Sequence, residues 1–125
     1  MAKELGVGRL LIAVYGVFAL SASARALFQL FTEFDLAPVA YSLSAISALV
    51  YIFATIALAR QSLRKFAGLA IWFELAGVLV VGALSFLVPE WFSHPSVWSG
   101  FGSGYGYIPL LLPILGLIWL RRNRA

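Results

Sequence analysis

The chain has 125 residues, of which 62% are hydrophobic and only 11% charged, with a mean hydropathy of +0.97 and a net charge of +4. Globular domains carry roughly 25% charged residues, so these totals exclude an ordinary water-soluble domain and predict an all-α integral membrane protein. No cysteine is present, which excludes disulfides, thiolate catalysis and cysteine metal sites.

A spanning helix needs about 20 apolar residues. The length therefore fits a single transmembrane domain over residues 1–125, with four helices at about 10–33, 38–60, 66–88 and 104–121. The first segment, about Leu10 to Phe31, also imitates a secretory signal, with Lys3 and Arg9 before an apolar run and Ser21-Ala22-Ser23-Ala24 as a small-residue cleavage site. Apolar periodicity continuing through Leu27, Phe28 and Phe31 favours a retained anchor. The second segment opens at Pro38, a residue suited to the first turn of a helix. Ser44, Ser47, Tyr51 and Thr55 follow at spacings of three and four and share one face. Ala40, Ser44 and Ala48 form a small-xxx-small ladder that permits close helix approach in lipid.

Arg60 to Lys65 is a short basic turn, which forces an antiparallel hairpin into the third segment, Phe66 to Val88, where Pro89 stops it. The stretch from Pro89 to Tyr107 is the one long connection, rich in aromatics and glycine, and its rings suit the outer interfacial belt. The last segment has only 13 residues from Ile108 to Leu120, roughly 20 Å of helix against a core of about 30 Å. Part of the glycine-rich run is therefore expected to enter the membrane, with Pro109 and Pro113 bending the helix.

Charge orients this arrangement. Lys3, Arg9, Arg60, Arg64, Lys65, Arg121, Arg122 and Arg124 all fall at one rim, and Glu33, Asp35 and Glu90 at the other. By the positive-inside rule the basic rim is cytoplasmic, and so are both termini. The basicity reads as topology and contact with anionic lipid headgroups, not as nucleic-acid binding. The predicted fold is an antiparallel bundle of four transmembrane helices.

Ala37-Pro38-Val39-Ala40-Tyr41-Ser42-Leu43-Ser44, continuing to Val50-Tyr51 and Ala54-Thr55, resembles a stretch of uncharacterised small four-pass membrane proteins of actinobacteria. The likeness covers most of the chain, the neighbourhood of Arg25 included. It implies a bacterial plasma membrane and carries no activity, ligand or catalytic residue.

Two charges, Arg25 and Glu74, lie within the apolar stretches, where an ionisable group is costly and marks a functional-site hypothesis. Ser21, Arg25, Gln29 and Thr32 follow by four, four and three, a polar stripe expected to face the bundle. Arg25 lies roughly 22 Å from Leu10 and Glu74 roughly 12 Å from Phe66 at helical rise, about 10 Å apart in depth. Three readings follow. Each is satisfied locally, Arg25 by helix-end carbonyls or Glu33 and Glu74 as a neutral acid or through Ser, Tyr or Trp; the two form an ion pair or proton relay; or Arg25 holds a headgroup or partner subunit. Arg25, Gln29, Ser44, Tyr51 and Glu74 are the candidate intramembrane residues. His94, with Glu90 four residues away, falls short of the three or four ligands of a metal site. The glycines of 100–106 lack the lysine and preceding strand of a phosphate loop. Ser93, Ser96, Ser99 and Ser103 have no base besides His94. No catalytic residue, metal or cofactor is expected. By subtraction the chain reads as a small non-enzymatic membrane subunit or accessory factor packing against itself or a larger complex. The alternative is a small oligomeric transporter or channel whose path passes Arg25 and Glu74.

Overall fold

The computed structural model describes residues 2–36, 38–92 and 98–122. Its helices are α1 (Ala2–Thr32), α2 (Pro38–Ala59), α3 (Arg64–Leu87) and α4 (Ile108–Arg122), joined through short 3-10 turns. Three are long and apolar enough to cross a membrane, over Gly6–Thr32, Pro38–Ala59 and Arg64–Leu87. The 15 residues of α4 reach roughly 22 Å.

Two boundaries differ from the sequence reading by more than two residues. The first helix starts at Ala2 instead of about residue 10, because Ala2, Lys3, Glu4 and Leu5 are strong helix formers and a helix continues readily beyond an apolar core. It also runs unbroken through Ser21–Ala24. The last helix starts at Ile108 instead of 104. Gly106 and Tyr107 hold φ of 64° and 61°, the left-handed region that ends a right-handed helix.

The helix ends meet around Trp119. Gly8 of α1 packs against its ring, and the Arg64 guanidinium at the start of α3 lies 4.8 Å over that ring. Arg64 Nε also donates to the Leu58 carbonyl near the end of α2, at 3.3 Å. One end of the molecule thus gathers Arg9, Arg60, Arg64, Lys65, Arg121 and Arg122. Glu33, Asp35 and Glu90 sit in the connections after α1 and α3, at the other end.

Between these ends small residues line much of the seam where the helices meet. Ala22 and Ala26 of α1, Ala40, Ala48, Ala54 and Ala57 of α2, and Ala67 and Ala70 of α3 are all buried. Leu20, Phe31, Leu49, Leu69, Trp72 and Phe86 point outward. In lipid, large apolar side chains gain nothing by turning inward, and association comes from close backbone approach. Ala40, Ser44 and Ala48 occupy that buried seam of α2.

The connection into α4 folds back along α3. Trp98 packs on Gly77 and Phe101 on Gly82, leaving no room for a Cβ at either glycine. Between them the Gly100 N–H donates to Ser85 Oγ at 2.8 Å. Gly77 lies ten residues before the end of α3, so the Trp98 indole reaches roughly 15 Å inward along that helix. Gly100, Phe101 and Gly102 all adopt positive φ, which turns the chain sharply enough to feed Pro109 over Gly102 at the start of α4.

Candidate internal polar site

Residues Ala67, Ala70, Ile71, Glu74, Val78 and Val81 recur at three and four along α3 and form its buried face. Glu74 is 0% exposed. Opposite it, α1 presents Leu11, Tyr15, Ala19, Ala22 and Ala26 at the same periodicity. The Tyr15 hydroxyl donates to Glu74 Oε1 at 2.6 Å, at the short end of the range for such bonds. Gly116 of α4 makes room for this pair, since a Cβ there would stand 3.4 Å from the Tyr15 hydroxyl and 3.1 Å from Ile71.

Ring contacts extend this arrangement across the core. Tyr51 of α2 sets its ring 6.1 Å from that of Tyr15 and 5.5 Å from that of Phe18. Its hydroxyl accepts a bond from Trp98 Nε1 at 3.1 Å, and the two rings meet edge to face at 6.4 Å, a geometry favoured by ring quadrupoles. All four helices and the segment after α3 therefore contribute to one constellation: Tyr15, Tyr51, Glu74, Trp98 and the space left by Gly77 and Gly116. Glu74 Oε2 is buried and has no hydrogen-bond partner among the described residues. An unmade bond on a buried oxygen costs about 1–3 kcal/mol, so this atom is one of the places where the core is left unsatisfied.

The candidate residues do not converge. Tyr51 joins Glu74 through Tyr15. Ser44 and Ser47 are buried further along the same α2 face, and Ser47 Oγ donates to the Ser44 carbonyl at 2.7 Å. Gln29 is buried as well, and its Oε1 and Ser44 Oγ have no hydrogen-bond partner among the described residues. Arg25 lies elsewhere. It is exposed on the flank of α1, as are Ser21 and Thr32, and Thr32 Oγ1 turns back to the Phe28 carbonyl at 2.5 Å.

The stripe Ser21, Arg25, Gln29 and Thr32 therefore does not face the other helices as a unit. Ala22, Ala26 and Gln29 do. Small side chains let α1 approach α2 closely, and each step of one residue turns about 100°, which carries Arg25 off the seam. Arg25 and Glu33 both lie within electrostatic reach of Tyr41 at the start of α2. Glu74 instead takes its hydrogen bond from Tyr15, on the inner face of the same α1.

Tyr15 and Trp98 do not stand out in the sequence, where aromatics on apolar segments read as packing. The available signal was register: Tyr15 shares its face with Leu11, Ala22 and Ala26, a small-residue seam that only a close partner helix would use. His94 lies outside the described residues. Among those described, no three His, Asp or Glu side chains gather as a metal site would require. No family model, curated protein or solved structure matches the chain.

Proposed function

We propose that the chain is a multi-pass protein of a bacterial plasma membrane that acts as a non-enzymatic subunit or accessory factor, packing against itself or a larger membrane complex. In this reading α4, with the segment that precedes it, makes a fourth crossing. The helices form an antiparallel bundle, and the end bearing Arg60, Arg64, Lys65, Arg121 and Arg122 faces the cytoplasm with both termini. Charge placement supports that orientation. The resemblance to small actinobacterial four-pass proteins is consistent with it.

The observation that carries the subunit reading is the divergence of the two ionisable residues. Glu74 is enclosed at the centre and bonded to Tyr15, whereas Arg25 faces outward on α1. A path past both would have to pass through the α1 seam, which Ala22 and Ala26 hold closed. The same arrangement leaves a broad apolar surface, with Arg25 on it, for a neighbouring helix. The transporter alternative draws its support from Glu74 Oε2, which has no hydrogen-bond partner among the described residues.

Extraction from native membranes in mild detergent, followed by mass determination of the particle, tests the reading. A defined assembly larger than one 13.6 kDa chain is expected. A monodisperse single chain whose reconstituted vesicles pass protons or ions, with the flux lost in Glu74→Gln, would replace the subunit reading with transport. Reporter fusions test the orientation: cytoplasmic signals after Arg64 and Arg124, and an exterior signal within residues 93–99.

A further inference from the structure

We infer that the basic end holds an anionic phospholipid, its phosphodiester on Arg60, Lys65, Arg121 and Arg122 and an acyl chain along the apolar flanks of α3 and α4. The inference deepens the membrane-subunit reading and takes from it only the leaflet concerned. The site itself follows from how the helix ends meet. Arg64 is held from two directions, over the Trp119 ring at 4.8 Å and by its bond to the Leu58 carbonyl. That clamp ties the ends of α2, α3 and α4 to one another, and Arg60, two residues past Leu58, Lys65, next to Arg64, and Arg121 and Arg122, just past Trp119, stand at those ends. All four are exposed. Of the acidic side chains described, Glu74 is in the core and Glu33, Asp35 and Glu90 are at the opposite end; Glu4, early in α1, is the one acidic residue of the sequence on this side, and the basic residues outnumber it.

The second half of the argument is what lies behind each charge. Going into the apolar zone, Lys65 is followed by Leu69 and Trp72, and Arg122 by Ile118 and Leu115, at spacings of four and three. All four apolar residues are exposed. Residues at these spacings lie one above another on a helix. Each helix therefore presents a cation heading an apolar track, which matches a molecule with an anionic head and a hydrocarbon tail. A free phosphate would use the cations and ignore the tracks. Basic residues near an anionic membrane surface contribute about fivefold in affinity each, from about 1 kcal/mol per charge.

The test uses the full chain in a neutral detergent, with retained lipid counted by native mass spectrometry. Phosphatidylglycerol should be retained in preference to phosphatidylcholine, less so as salt rises. Arg121→Gln combined with Arg122→Gln should weaken that retention on the order of 25-fold, and Lys65→Gln or Arg60→Gln alone roughly fivefold. The single variants, on other helices, keep the test sound where the double variant does not fold. Arg25→Gln, at the far end, should leave retention unchanged. Equal retention of the two lipids, indifference to the variants, or full displacement by millimolar inorganic phosphate overturns the proposal; the last result would assign the cluster to a free anion. Retention is read in detergent without reference to sidedness, so a failed topology in the reporter fusions and a failed lipid site are distinguishable.

Discussion

Glu74 and Arg25 pose the same physical problem and meet it in opposite ways. Both are ionisable groups on helices apolar enough to cross a membrane, where an arginine costs about 2.5 to 3.5 kcal/mol on insertion scales. Glu74 is enclosed by α1, α2, α4 and the Trp98 segment and takes one short hydrogen bond from Tyr15. Arg25, on the flank of α1, stays exposed within reach of the Tyr41 and Glu33 end. The difference shows that depth along a helix does not decide the fate of a charge. Its angular position relative to the small-residue seam does.

The largest effect should come from closing the space that the Glu74 region depends on. Gly77→Leu would force the Trp98 ring out of its seat and break its bond to Tyr51. Overpacking of a tight core costs about 1–3 kcal/mol and occasionally more, so thermal unfolding in detergent should show the greatest loss here. Gly68, which has nothing within contact range of an added Cβ, should accept the same change with little effect.

Next comes Tyr15→Phe, which removes the donor and leaves both Glu74 oxygens buried without a partner. The expected loss is about 1–3 kcal/mol. Glu74→Leu strands the Tyr15 hydroxyl instead and should cost a similar amount. Combining the two should recover much of the loss, because replacing both partners by apolar groups approaches neutrality. Glu74→Gln keeps an acceptor for Tyr15 and should cost less than either single change. At Arg25 the effect on folding should be smallest: Arg25→Gln is expected to shift unfolding by about 0.5 kcal/mol or less, as for surface substitutions in general. Any larger consequence should appear in assembly with a partner and not in the stability of the single chain.

Much of the fold was legible. Pro38 and Pro89 bound α2 and α3, and the three-and-four spacing of Ser44, Ser47 and Tyr51 put them on the buried side of α2. The failures have definite causes. Charged residues near the N-terminus suggested a helix start near residue 10, yet Lys3 and Glu4 favour helix about as well as leucine does. The glycine-rich run left the start of α4 open between Gly100 and Ile108, and the left-handed turns at Gly106 and Tyr107 hold it to Ile108. The stripe through Arg25 was read by polarity when small size was the deciding property, so Ala22 and Ala26 took the seam and Arg25 its flank. At the site, Glu74 and Tyr51 could be named from sequence. Tyr15 and Trp98 could not, because nothing local separates a tyrosine or tryptophan that bonds within the core from one that packs or meets an interface.

A pair of double-mutant cycles on unfolding in detergent tests the divergence of the two ionisable residues most directly. One cycle combines Tyr15→Phe with Glu74→Leu, the other Arg25→Met with Glu74→Gln. The first should show a coupling of about 1 kcal/mol or more, as for residues in contact, and the second should be additive within about 0.5 kcal/mol, as for independent sites. A strong coupling between Arg25 and Glu74, with Arg25→Met restoring what Glu74→Gln loses, would show instead that the two form a buried ion pair and would contradict the separation of an enclosed acid from an outward-facing base.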